Sequence, residues 1–497
     1  MSEQEAITQE EISEADWADT PVRVRELVLA MKGRIEQLEM QIAGLQEQVN
    51  RNSGNSSQSP SQSGAKGFQV KPKEKSKKQR GGQEGHQGHE RQMYKAEDCA
   101  SIEDYYPQKC WQCGGELQGR DVTPQRIQVV ELPPLKPVVK EHRFHALECG
   151  CCGARTRAFE AEIVNGSGYG ERLAGFVGLM SGEYRQSHRM VKRLLEEAFD
   201  VRISVGSIGN LRDEISEAVS AAVLEVQEYV QQQPIVNSDE TSFAQGNADG
   251  GNPNRQRGWL WVLVTPLVCY FQVLLSRSQE AARQMLGGSF SGYVGSDRYS
   301  GYSWLDIEQR QVCWAHLKRD FTKIAERSGL SAQIGKDLLA QQKLLFETWY
   351  QVRDGTLTRT EFSQQVIPIR NQVNAILTQG AGYQIGYKDQ TPLAKTVRTC
   401  RQLLKVEPAL WLFVSVEAVE PTNNSAERAL RPAVLWRRSS FGSQSLDGSC
   451  FAARMLTVVT TLRLQQRNVL DYLSQACLAK RNNLPSPSLL PVFPLIP

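Results

Sequence analysis

The sequence predicts a multidomain α+β protein in which a coiled coil, a zinc ribbon and a helical segment precede an α/β domain with a helical insertion. Three observations carry that expectation. An apolar heptad runs over residues 22–50, two Cys-x-x-Cys-Gly turns fall within residues 105–160, and three consecutive β-type runs follow Pro234 before helix and strand alternate. At 497 residues the chain has room for about three domains of roughly 150 residues each. Lysine plus arginine (58) nearly balance aspartate plus glutamate (55), so total charge neither favours nor excludes nucleic acid and local distribution decides. The sequence contains no run of about 18 apolar residues, and the acidic start "MSEQEAITQEEISEADWADT" lacks a signal-peptide core. A soluble cytoplasmic protein is therefore expected, with no membrane partner.

Residues 1–21 are polar and expected to be disordered. From 22 to 50, Val28, Ile35, Ile42 and Val49 share one heptad position and Val24, Met31, Leu38 and Leu45 the other. β-Branched residues at the first position with leucine at the second favour two parallel strands, and Arg34 and Glu39 can pair across them, so a homodimer is expected. Residues 51–104 form a linker: "NRNSGNSSQSPSQSGAKG" cannot bury enough apolar surface to fold. It continues into a basic arm where Lys66, Lys71, Lys73, Lys75, Lys77, Lys78 and Arg80 face the single acid Glu74. Such a run is either a solvated tail or an arm that neutralises DNA phosphates.

Of 11 cysteines, five lie between Cys110 and Cys152, which in a reducing compartment suggests metal ligation. Cys110 and Cys113 before Gly114, and Cys149 and Cys152 before Gly153, can supply four thiolates to one tetrahedral Zn²⁺. Four sulfur ligands leave no open position, so this Zn²⁺ would be structural. Cys151 rivals Cys152, which keeps the two-residue spacing. Residues 168–233 then read as helical, and "MVKRLLEEAFDVRISVGSIGNLRDEI" fits a helix-turn-helix opening its second helix at Ser204, or equally a plain helical hairpin.

Residues 234–480 form the α/β domain, with a helical insertion at about 320–420 and a proline-rich tail over 481–497. "PIVNSDE", "GWLWVLVTP" and "VCYFQVLLSR" read as strands, then comes a helix, then the strand "GYVGSD". If that fourth strand lies parallel beside the first, Asp239 and Asp297 meet across one inter-strand gap. Two carboxylates that close call for a cation, and Mg²⁺ among carboxylates implies phosphodiester chemistry. Glu240 alternates to the opposite face and is expected to be structural. Glu427 in "PTNNSAERALRP" is the candidate third carboxylate, although with Asn424 as N-cap it could instead complete a capping box. Arg428, Arg431, Arg437 and Arg438 follow it and suit a helix facing DNA phosphates.

The serial order of heptad helix, "NSGNSSQSP", "GGQEGHQGH", the two cysteine turns, "SDET", "SDRYSGY", "CWAHLKRDF" and "NNSAERALRP…RRSSFGS" resembles the large transposase of the insertion-sequence sixty-six family over roughly residues 22–475. The resemblance implies an RNase H-like catalytic domain of the aspartate-aspartate-glutamate type, with Asp239, Asp297 and Glu427 as metal ligands. It also implies two Mg²⁺ or Mn²⁺ ions, and a zinc-binding segment at Cys110, Cys113, Cys149 and Cys152. Cleavage at transposon ends would free a 3′-hydroxyl that attacks target DNA. The implied partners are double-stranded DNA (terminal repeats and target) and accessory proteins of the same element, in the bacterial nucleoid. Arg298 departs from the family's usual glycine. His316 falls in a family motif, yet a lone histidine at a strand-to-helix junction is more often structural. Two alternatives stay open: an RNase H-like nuclease or resolvase that does not join, and a DNA-binding repressor that has lost catalysis.

Overall fold

The structure, a computed structural model, describes residues 14–49, 55, 92–160 and 166–491. The expected basic arm, including Lys71, Lys73, Lys75, Lys77, Lys78 and Arg80, lies outside these residues. Within the segment expected to be disordered, Glu14–Asp19 forms a short helix, α1. This stretch holds neither glycine nor proline, and the turn closes when Thr20 N donates to the Trp17 carbonyl. Pro21 then opens α2, Val22–Val49, with the amides of Val24 and Arg25 both donating to its carbonyl. Along α2 the heptad residues Val24, Val28, Met31, Ile35, Leu38, Ile42 and Leu45 all face solvent. Its far end is anchored, because Glu47 pairs with Arg327 at 3.2 Å and Lys395 at 3.3 Å.

After a hairpin of β1 (Ala146–Glu148) and β2 (Arg155–Arg157), the chain enters a globular body. Four helices come first: α3 (Glu171–Gly182), α4 (His188–Phe199), α5 (Val205–Ala218) and α6 (Ser220–Gln231). Ser204 caps α5 as expected, its hydroxyl accepting from Ser207 N at 2.9 Å. Five strands follow: β3 (Ile235–Ser242), β4 (Trp259–Val264), β5 (Cys269–Leu274), β6 (Tyr293–Ser296) and β7 (Arg310–Val312). They form one sheet ordered β5-β4-β3-β6-β7, antiparallel through the first three and parallel from β3 to β7. Helix α7 (Gln279–Leu286) makes the crossover from β5 to β6.

A helical insertion follows β7: α8 (Trp314–Ala325), α9 (Gly329–Arg353), α10 (Arg359–Gly382), α11 (Pro392–Lys405) and the short α12 (Leu412–Ser415). It has its own core around Phe321, Leu338, Trp349, Phe362 and Phe413, continuous with Val312 at the edge of the sheet. Helix α13 (Asn424–Ser440) then returns to β3 and β4, and α14 (Leu446–Leu464) and α15 (Val469–Arg481) close the body. Thr457 and Thr461 of α14 accept the amide hydrogens of Phe271 and Cys269, so the outer edge of β5 is not left bare.

The first four helices do not stand apart from the sheet. Val177, Ile208, Ile215 and Val226 share one core with Leu260, Val262 and Phe271 of the sheet and with Met455, Leu462 and Leu473. Close approach explains the glycines of α3: a Cβ on Gly178 would stand 2.8 Å from Ile215, and one on Gly182 would stand 2.7 Å from Met455. The expected tail is also held as far as it is described, with Leu489 buried and Ser488 donating to Glu225 at 2.7 Å. Among the described residues no helix is long and apolar enough to cross a membrane.

Candidate active site

Strand β3 pairs with β6 as Ile235 with Tyr293, Val236 with Val294 and Asn237 with Gly295, a constant offset of 58 residues. Asp239 and Asp297 keep that offset two residues further on, with Asp297 just past the end of β6; β3 does not end on Asp239 as its sequence suggests, because Asp239 to Ser242 go on pairing with β4. The strands approach closely at 295, where a Cβ would stand 2.3 Å from Asn237 Oδ1 and would oblige that side chain to shift. Burial pushes the Asp239 carboxyl well above its ordinary value, and the negative charges of Glu240, Asp297 and Glu427 push it further. The Glu240 amide, donating to Asp239 Oδ1 at 2.9 Å, offsets only part of this. Asp297 Oδ1 accepts from Tyr299 N at 2.9 Å.

Glu427 does not cap its helix. The N-cap of α13 is Asn423, one residue earlier than the capping-box alternative requires, and no side chain caps the helix. Asn423 is committed elsewhere: its Nδ2 donates to the Ser238 carbonyl at 2.8 Å and its amide to Cys313 Sγ at 3.1 Å. These bonds pin the start of α13 between β3 and the start of α8. The Glu427 carboxylate is thereby free to meet α8, accepting from Arg319 at 3.1 Å and lying 3.4 Å from His316 Nδ1. Burial and the Arg319 charge pull the His316 pKa down. His316, read from sequence as structural, is a neighbour of the third carboxylate. Arg298 reaches the insertion, donating to Asp320 at 2.7 Å and Gln402 at 2.9 Å.

The three carboxylates are hard oxygen donors whose mutual repulsion a divalent cation would relieve, so they fit such an ion in donor type and charge. Among the described residues, however, no three histidine, cysteine, aspartate or glutamate side chains stand together closely enough to hold a metal ion. Arg319 meanwhile supplies the Glu427 carboxylate with a positive partner.

On the opposite face of β3, as alternation predicts, Glu240 is buried and accepts from Arg277 Nε and from the Tyr302 hydroxyl, each at 2.8 Å. Arg277 lies over the rings of Trp259 and Tyr299, at 5.0 and 3.8 Å from their centroids. Sequence reasoning missed Arg277 and Tyr302. The one available signal was the second tyrosine of "SDRYSGY".

Of the four arginines on α13, Arg428, Arg431 and Arg438 are exposed. Arg437 departs from the expected DNA-facing set: one of its nitrogens donates to Thr241 Oγ1, to the Ser242 carbonyl and to Ser242 Oγ, between 2.6 and 2.8 Å. It braces the end of β3 because α13 runs alongside that strand.

The two cysteine turns are near copies. Cys110 N donates to the Gly115 carbonyl and Gly114 N to the Cys110 carbonyl, and Cys149 N and Gly153 N make the same bonds to Ala154 and Cys149. Gly114 and Gly153 carry φ values of 73° and 72°, which glycine adopts freely. Backbone amides of Cys113 and Gln112 lower the Cys110 thiol, and those of Cys151 and Cys152 lower the Cys149 thiol. Each turn is thus shaped to favour thiolate, although the four sulfurs are not gathered into one group.

A family model described as Transposase IS66 family matches residues 183–450, more than half of the chain, and a family of unknown function (DUF6444) matches residues 7–92. Two proteins of Sinorhizobium fredii (strain NBRC 101917 / NGR234) are similar to this one. The uncharacterized protein y4qI is 26% identical over 261 residues, covering 48% of this chain and 46% of its own length. The uncharacterized protein y4hP is 24% identical over 406 residues, covering 72% and 68%. The chain thus spans about half the length of the first relative and about two thirds of the second. The stretch matched by the first family model holds Asp239, Asp297 and Glu427 but neither the heptad helix nor the cysteine turns.

Proposed function

This chain belongs to the IS66 transposase family, and from that premise we propose that it cuts DNA at the ends of a mobile element and joins the freed ends to target DNA. The observation that carries the reading is the 58-residue offset shared by parallel β3 and β6 and kept by Asp239 on β3 and Asp297 just after β6, with Glu427 near enough to raise the Asp239 carboxyl. The mixed sheet order β5-β4-β3-β6-β7 supports an RNase H-like domain with α8 to α12 as its insertion.

Asp239, Asp297 and Glu427 would hold Mg²⁺ or Mn²⁺, two ions in the full arrangement, which supply Lewis acidity at the phosphate and a more acidic attacking water. The chain's own residues do the rest. Arg319 and His316 orient the Glu427 carboxylate, and Asn423 fixes the helix that carries it. Arg428, Arg431 and Arg438 meet phosphates along the bound strand. In the first reaction a water oxygen bonds to phosphorus, the bond to O3′ breaks and the proton lost by water balances the hydroxyl gained. In the second that 3′-hydroxyl attacks a target phosphodiester, releasing the target's own 3′-hydroxyl.

Cys110, Cys113, Cys149 and Cys152 would take one structural Zn²⁺, for which their two preshaped turns are suited. The exposed heptad face of α2 supports a parallel homodimer, which would hold two DNA ends together. DNA, accessory proteins of the element and a nucleoid location complete the reading.

The test uses full-length protein, Mg²⁺ and labelled duplex carrying the DNA that flanks this reading frame. Cleaved and joined products are expected from the wild type, and neither from Asp239→Asn, which should still bind DNA. Cleavage without joining would favour the nuclease or resolvase, and no difference between the two proteins would favour the repressor.

A further inference from the structure

Helix α13 carries more than the third carboxylate. Arg428, Arg431, Leu435 and Arg438 are all exposed and follow one another at intervals of three, four and three residues. At 3.6 residues per turn they lie on one stripe about 80° wide, with Glu427 at its edge. A track of three arginines therefore runs from the candidate active site along the outer face of the helix. Arg437 is not part of it, being bonded to Thr241 and Ser242.

The track ends at Phe441. This ring is 82% exposed and belongs to neither core. Its backbone is left-handed, with φ 58°, a conformation that a bulky residue rarely adopts and that costs free energy. The turn is imposed from outside: Gly442, at φ 102°, presses so close to Ala244 that a Cβ would stand 2.1 Å from its carbonyl oxygen. Ser443 N then donates to Ala244, Gly246 N to Ser443 and Ala248 N to Gln444, each at 2.9 Å. The turn thus holds a large aromatic side chain out in water, against the preference of both backbone and side chain, and among the described residues it is packed into neither hydrophobic core.

We propose that Phe441 is a stacking site for a DNA base that has left its pair, at the far end of an arginine track that carries the strand's phosphates away from Glu427. The inference rests on the transposase reading and extends it from the reacting phosphate to the flanking strand. Charge complementarity chooses the occupant: the ring continues a row of guanidiniums, and an aromatic face beside such a row takes any base without regard to sequence. From Glu427 to Phe441 is 14 residues of helical rise, about 20 Å, equal to about six steps of duplex DNA. The displaced base therefore lies within about six positions of the bond that is cut.

The test uses full-length protein and a set of duplexes of the flanking DNA, each with 2-aminopurine at one of the eight positions nearest the element's end, in Ca²⁺ so that nothing is cut. With wild type, one position should brighten several-fold as its base unstacks from its neighbours. Phe441→Ala should abolish that signal and weaken binding about 5- to 150-fold, the span of one base–aromatic stack. Phe441→Trp should restore both. Brightening that survives Phe441→Ala, or binding without brightening at any position, overturns the stacking site and leaves the transposase reading intact. A wild-type protein that binds none of the duplexes overturns that reading and this inference with it. Matching far-ultraviolet circular dichroism and melting temperature for the three proteins shows that the turn is folded in each.

Discussion

The Tyr302 hydroxyl donates to Glu240 Oε2 at 2.8 Å and lies 3.0 Å from Ser238 Oγ, tying the strand that carries Asp239 to the loop that follows Asp297. The segments that carry the two aspartates are thus linked through the Glu240 side of β3. Tyr302→Phe removes this tie while keeping the ring against Trp261 and Tyr299. A loss of about 1–3 kcal/mol in urea unfolding is expected, because a buried carboxylate loses a donor and the Ser238 hydroxyl loses its partner. An unchanged midpoint and slope would show that the bond contributes nothing.

The Asp239 carboxyl gives a pH dependence with a definite sign. Its folded pKa is raised, so between the ordinary aspartate value of about 3.9 and the raised one the folded state binds a proton that the unfolded state does not. Metal-free protein should therefore lose stability as pH rises through that window, and Asp239→Asn should lose less and melt higher at neutral pH. Mg²⁺ should raise the melting temperature of the wild type and leave the variant unchanged. A wild type indifferent to Mg²⁺ would remove the case for a cation at this site.

The arginines of α13 should separate by salt dependence. Arg428→Gln and Arg431→Gln should each lower the slope of log affinity against log salt by about 1 and leave thermal stability unchanged. Arg437→Gln should do the reverse, destabilising the protein because Thr241 and Ser242 lose their donor, with little change in slope.

Zinc content can choose between Cys151 and Cys152. Purified protein is expected to carry about one zinc per chain, which Cys110→Ser or Cys152→Ser should largely abolish and Cys151→Ser should spare. Elemental analysis together with a chromophoric chelator reads all three, and equal loss in Cys151→Ser would reassign the ligand.

The heptad face of α2 is exposed from Val24 to Leu45, so replacing Ile35 and Leu38 by aspartate should leave the fold intact and convert a dimer to a monomer in sedimentation velocity. Glu47, which anchors the helix to Arg327 and Lys395, is not part of that face and should be replaceable without dissociation.

What could be read from sequence followed the range of each interaction. The parallel pairing that relates Asp239 to Asp297 was accessible because the strand and helix patterns that produce a parallel crossover are local. Glu427 was found by its motif, but its partners Arg319 and His316 come from a helix about 110 residues earlier and leave no periodic trace. The same holds for Arg277 on Glu240. Amphipathic spacing showed that the helices of residues 168–233 bury a face, and it carried no information that the sheet and the last two helices supply the other side. The expected N-cap at Asn424 was off by one residue because Asn423 is held by Ser238 and Cys313, two contacts invisible along the chain.

The packing of α3 against α15 has a consequence for synthesis. Glu171–Gly182 is covered by Val469–Arg481, so one of the first helices of the body waits for almost the last one before its apolar side is shielded. On the ribosome the body cannot close until residue 481 has emerged, and a chain interrupted earlier presents bare α3 and β5 to whatever is nearby.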